Sequence, residues 1–167
     1  WGAAWTWITG ILLLLLVYYH GGQLLATGAA WGAGPIVMIA LTFLAPFIYD
    51  AIWKSGLAAN LRAAVIVSFL LLAVVVALFV YFGHFSYRGT LIHTGALFGT
   101  IMAFNVWYRI WPAQQSIIRA VKNGETPDAG LVKVAGLRSR HNTYMSVPLV
   151  WAMMSQHTTF FAGGNLG

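Results

Sequence analysis

Five stretches of this chain are long and apolar enough to cross a lipid bilayer as helices, and that pattern leaves few folds open. A spanning helix needs roughly 20 predominantly apolar residues. Residues 5–25, 35–53, 61–82, 90–111 and 137–157 each meet that length. Inside a bilayer every backbone N–H and C=O must find its partner within the protein, which a helix achieves alone. Composition agrees: of 167 residues, 60% are hydrophobic and 7% charged, against about 25% charged in an average soluble domain. So little charge cannot cover a water-facing surface. The expected fold is all-α, a polytopic transmembrane helix bundle of about five spans, forming a single domain over residues 1–167. A transporter is disfavoured, because no inverted repeat is visible.

The loops assign sides. Lys54, Arg62, Arg109, Arg119, Lys122, Lys133, Arg138 and Arg140 fall on one side of the expected spans, and Arg88 alone on the other. The positive-inside rule puts the 54–62 and 112–137 loops in the cytoplasm. Five spans then leave the N-terminus cytoplasmic and the C-terminus outside. Trp1, Trp5, Trp7, Trp53, Trp107 and Trp111 lie near the cytoplasmic ends, as interfacial aromatics do. This one-sided distribution accounts for the net charge of +6. No basic stripe interleaves with aromatics on a soluble face, so no nucleic-acid partner is expected. The absence of cysteine excludes disulfides, thiolate metal sites and cysteine nucleophiles. The chain opens on Trp1 with neither methionine nor basic leader, which reads as a processed or partial chain.

Ionisable groups within spans are costly and mark candidate sites. His20, His84, His93 and His157 fall towards the outer ends of their helices, and His141 alone near the cytoplasmic end. His141 and His157 are separated by about 24 Å along one helix, so they serve opposite faces. His93 opens the fourth span and His157 ends the fifth, which places them at one depth on antiparallel neighbours. Two such imidazoles can ligate a b-type haem axially or hold a metal of unknown identity. Equally, they can sit in the headgroup zone, bonded to water, lipid or backbone. Thr94, Gly95, Gly99 and Thr100 beside His93 suit a flat macrocycle or a packed helix.

A second group lies on the cytoplasmic side. Tyr49 and Asp50 end the second span, and Lys54 and Ser55 follow it. Asn105 lies in the fourth span, and Arg138, His141 and Asn142 open the fifth. The i, i+3, i+4 spacing of the last three puts them on one helical face. A guanidinium, an imidazole and an amide there can cradle a planar, anionic substrate, or simply anchor the helix at the interface. Asp50 is four residues from Lys54 and can pair with it. Pro46 and Pro148 lie inside spans, where each can kink its helix.

Two stretches carry a family resemblance. "LIHTGALFGTIMAFNVWYRIWPAQQSII" and "PDAGLVKVAGLRSRHNTYMSVPLVWAMMSQH" resemble consecutive segments of the membrane-bound, cytochrome c-linked urate oxidases. "YDAIWKS" and "AAWTWITG" are similar to further parts, in the same order, so the resemblance reaches nearly the whole chain. It implies a multi-pass protein of the bacterial inner membrane, an oxidoreductase of purine catabolism that oxidises urate towards 5-hydroxyisourate. Electrons would pass to a periplasmic c-type cytochrome. The positions that match are Tyr49, Asp50, Lys54, His93, Asn105, Pro112, Gln114, Arg138, His141, Asn142, Tyr144, Pro148 and His157. His20 and His84 do not match. The family's earlier spans and its Cys-x-x-Cys-His haem motif have no counterpart here.

Two readings follow. In the first the chain is an enzyme: Arg138, Asn142 and Asn105 bind the substrate, His141 and Asp50 take the catalytic roles, and His93 with His157 holds a cofactor for electron exit. In the second it is an accessory, non-catalytic membrane subunit of a respiratory or photosynthetic electron-transfer complex, packed on additional membrane subunits.

Overall fold

The computed structural model describes residues 2–156, and over them the architecture is all-helical. Helix α1 (Gly2–Leu13) runs on through a wider π-helical segment, Leu14–His20. Helices α2 (Ala33–Lys54), α3 (Leu61–Tyr81) and α4 (Tyr87–Asn105) follow. A second π-helical segment, Val106–Ile110, joins α4 to α5 (Trp111–Lys122), and α6 (Ala129–Ser155) completes the set. Gly2–His20, Ala33–Lys54, Leu61–Tyr81 and Tyr87–Lys122 are each long and apolar enough to cross a membrane. Helix α6 covers the fifth expected span. It carries Lys133, Arg138 and Arg140 in its first half and is not among those four.

The helices alternate in direction. Trp7 donates to Thr100 and Tyr19 bonds His93, so α1 lies antiparallel to α4. Gly34 abuts Phe82 and Tyr49 meets Asn105, so α2 runs parallel to α4. Asn142 lies beside Asn105 and Gln156 bonds the Arg88 carbonyl, so α6 is again antiparallel. One end of the bundle therefore gathers Asp50, Asn105, Arg138 and His141, and the other gathers the 21–32 loop and His93. The core between them centres on Leu24, Met38, Phe79, Phe85, Leu97, Phe98 and Ile101. Phe69, Ile66 and Leu70 on α3 face outward, more than half exposed. A face of that kind suits lipid or a partner helix rather than water.

Three boundaries differ from the sequence expectation. The first span ends at His20, not residue 25. Gly22 adopts φ +67°, a conformation open to glycine, and turns the chain back. Leu24 then plugs the core, fully buried, and its carbonyl accepts from Ser86 N–H at 2.8 Å. This return is possible because position 89 is glycine: a Cβ there would lie 2.2 Å from the Leu24 carbonyl oxygen.

The other two concern the expected polar loop at 112–137, most of which is helical. Pro112 sits in the first turn of α5, directly after the wider Val106–Ile110 turns. A proline's missing N–H is tolerated best at such a start. The Asp128 carboxylate accepts from Leu131 N–H at 2.9 Å and caps α6, which begins eight residues earlier than expected. The true loop is 123–128. Pro46 and Pro148 lie inside α2 and α6 without interrupting either helix.

Candidate functional site

The charged part of the site is built on Asp50, one turn from the end of α2. Its Oδ1 accepts from Arg109 Nε at 2.9 Å and from Arg138 Nη2 at 2.8 Å. Its Oδ2 pairs with Arg109 Nη2 and lies 3.0 Å from Lys54 Nζ. The pairing of Asp50 with Lys54 is present, but it is the outermost of three. Arg109 arrives from the π-helical turn after α4, and Arg138 from α6. One carboxylate thus ties three helical segments together and faces three cations. Arg138 is 4% exposed, and its Nη1 has no hydrogen-bond partner among the described residues.

Beside this cluster lies a directed chain of hydrogen bonds. Asn142 Nδ2 donates to the Met102 carbonyl at 3.1 Å. Asn142 Oδ1 then accepts from Asn105 Nδ2 at 2.9 Å, and the same nitrogen donates to Tyr49 Oη at 3.3 Å. Tyr49 Oη lies 2.6 Å from His141 Nδ1. Trp53, four residues after Tyr49 on the same face of α2, packs on the imidazole with ring centres 4.1 Å apart. The Arg138 guanidinium lies 4.9 Å over the Tyr49 ring, a cation–π contact that joins the two halves of the site. Asn105 is fully buried, and its Oδ1 has no partner among the described residues.

Asp50, Asn105, Arg138, His141 and Asn142, singled out from the sequence, therefore come together at one end of the bundle. Asn142 spends both halves of its amide on α4. Arg138 and Asn105 keep unused donor and acceptor atoms. Three participants were not assigned roles from sequence. Tyr49 falls in the cytoplasmic polar group and in the "YDAIWKS" stretch that resembles the family. Trp53 reads as an interfacial aromatic and Arg109 as one of the bases on the cytoplasmic side, and nothing local marks them as partners of His141 and Asp50.

At the other end, His93 is fully buried. Its Nδ1 lies 2.9 Å from the Gly89 carbonyl and its Nε2 lies 2.9 Å from Tyr19 Oη. A carbonyl only accepts, so Nδ1 carries the proton and Nε2 accepts from Tyr19. Phe79 and Phe85 flank the ring, with centres at 5.9 and 4.6 Å. Both nitrogens are thus in use, and a haem iron at Nε2 would have to displace Tyr19. This geometry does not fit His93 to an axial haem. His157 lies outside the described residues. Among those described, no group of three or more His, Asp or Glu side chains converges as a metal site. A cavity of about 620 Å³ lies at this end too, lined by Ala26–Ala30, Val80 and His84–Tyr87, away from the charged cluster.

The family model described as urate oxidase, N-terminal, matches residues 1–166 of the chain. No curated protein and no solved structure matches it. The family match spans every residue of the polar cluster, and on it the chain belongs to the urate oxidase N-terminal family.

Proposed function

We propose that the chain spans the bacterial inner membrane and binds urate at the Asp50–Arg138–Tyr49–His141 cluster, for oxidation towards 5-hydroxyisourate. The supporting observation is the charge left open there: one carboxylate faces three cations, and Arg138 presents a buried Nη1 that no described residue partners. Urate is a planar monoanion at neutral pH, rich in carbonyl oxygens and N–H groups. Arg138 Nη1 supplies it a charged donor, and Asn105 Oδ1 a buried acceptor. Urate and one water lose two electrons and two protons to give 5-hydroxyisourate, and two ferric c-type cytochromes on the periplasmic side take the electrons.

The second reading, an accessory subunit without turnover, draws on the mutual satisfaction of the cluster. Asp50 is fully paired, and Asn142 is committed to α4. One experiment separates the two: urate binding and urate-dependent reduction of ferric cytochrome c, measured on the purified chain with its co-purifying subunits. The enzyme reading expects both activities, with binding weakened by at least about tenfold in Arg138→Gln, since a lost charge-assisted hydrogen bond is worth roughly 1.5–3 kcal/mol. A preparation that binds no urate overturns it and leaves the subunit reading.

A further inference from the structure

The direction of the hydrogen-bond chain has a chemical consequence for the two residues at its end. The Met102 carbonyl can only accept, so the Asn142 nitrogen faces it and the Asn142 oxygen faces Asn105. Asn105 must then present its nitrogen, and that nitrogen also donates to Tyr49 Oη. The phenol proton is left one acceptor, His141 Nδ1, 2.6 Å away. In the neutral ring the imidazole proton accordingly sits on Nε2. His141 offers a ligand an N–H and has no free lone pair, so it cannot take a proton from the substrate directly.

We propose that Tyr49 is the residue that accepts the substrate-side proton and that His141 stores it. This rests on the urate reading of the same site. As the Tyr49 O–H proton moves to His141 Nδ1, the phenol oxygen takes a proton from urate or from the attacking water. The bond Nδ1–H forms, the substrate N–H or water O–H bond breaks, and Tyr49 ends as it began. The charge lands on an imidazolium carrying protons at both nitrogens. The surroundings act most directly on the Tyr49 half of the transfer. The Arg138 guanidinium over the Tyr49 ring favours negative charge on the phenol oxygen. Trp53, with its ring centre 4.1 Å from that of His141, partly offsets the repulsion that Arg138 and Arg140 exert on an imidazolium there. Tyr49 is half-buried, and its oxygen keeps one lone pair beyond the contact with Asn105.

Two measurements test the relay. The first is ¹⁵N NMR of histidine-labelled protein at neutral pH. It expects His141 as the Nε2–H tautomer with a strongly hydrogen-bonded Nδ1, and a tautomer mixture in Tyr49→Phe. An Nδ1–H tautomer in the wild-type protein overturns the proposal. The second is steady-state turnover with a ferric cytochrome c acceptor. Tyr49→Phe keeps the ring under Arg138, so KM should change little while kcat falls on the order of 100-fold, the usual size of a lost proton-transfer step. His141→Gln should lower kcat similarly with Tyr49 intact. Full turnover by Tyr49→Phe in a protein that oxidises urate defeats the relay alone. A wild-type preparation that binds no urate defeats the functional reading and the relay with it.

Discussion

Arg138 on α6 donates to the Asp50 carboxylate on α2 at 2.8 Å, and the guanidinium that does so is 4% exposed. A buried cation is tolerable only while its counter-charge is present. Asp50 is shared by Arg109 and Lys54, so its removal orphans all three cations together.

Asp50→Ala should therefore destabilise the bundle by about 3–5 kcal/mol, the cost of breaking a buried pair from one side. Lys54→Ala should cost no more than about 1 kcal/mol, because that lysine is 57% exposed and its pair is screened by solvent. Thermal unfolding of the two variants in one detergent gives the comparison. Equal losses would show that the network does not bury Arg138 as described.

Much of this arrangement was legible in the sequence, and the failures share a cause. Apolar runs of spanning length announced the helices, and the 138, 141, 142 spacing announced one polar face of α6. The α5 helix was missed because "PAQQSIIRAVK" is nearly balanced between polar and apolar residues and opens with a proline. The wider Val106–Ile110 turns that admit Pro112 leave no local sign. The Arg109–Asp50 pair joins residues 59 apart. From sequence alone Arg109 is one more cation beside the interface, and nothing in the sequence singles out Tyr19. Partnerships across helices depend on rotation about each helix axis, which composition does not record.

Tyr19 provides the second prediction. Its hydroxyl satisfies His93 Nε2 inside an aromatic shell, so Tyr19→Phe leaves a buried acceptor unpaired. The expected cost is about 1–3 kcal/mol, read as a lowered melting temperature. The same geometry predicts no b-type haem signal that depends on His93. A haem band in the reduced-minus-oxidised spectrum that disappears in His93→Ala would show that Tyr19 yields its place to iron.

Glycines 89 and 99 both lie in α4, and their surroundings predict opposite outcomes. A Cβ at Gly89 would collide with the Leu24 carbonyl, so Gly89→Ala should dislodge the 22–25 return and destabilise the fold. Nothing lies within 4 Å of a Cβ at Gly99. Gly99→Ala should stabilise the isolated chain by roughly 0.5–1 kcal/mol, the usual gain in a helix interior. Unfolding midpoints of both variants decide it, and a stabilised Gly89→Ala would contradict the packing of the loop.

The last prediction concerns sidedness, on which the assignment of the electron acceptor depends. The bundle puts Ala59 and Glu125 at the end that holds Asp50, and Thr27 at the end that holds His93. All three are exposed. The chain contains no cysteine, so a single introduced one is a unique label. With bases concentrated at the Asp50 end, that end is expected to face the cytoplasm. In intact bacterial spheroplasts a membrane-impermeant maleimide should label Thr27→Cys at once. Ala59→Cys and Glu125→Cys should react only after the membrane is opened. The reverse pattern would invert the topology and move cytochrome access to the Asp50 end. Labelling of all three from outside would mean that the helices do not span the membrane, and the proposed separation of substrate and electron acceptor across it would fall.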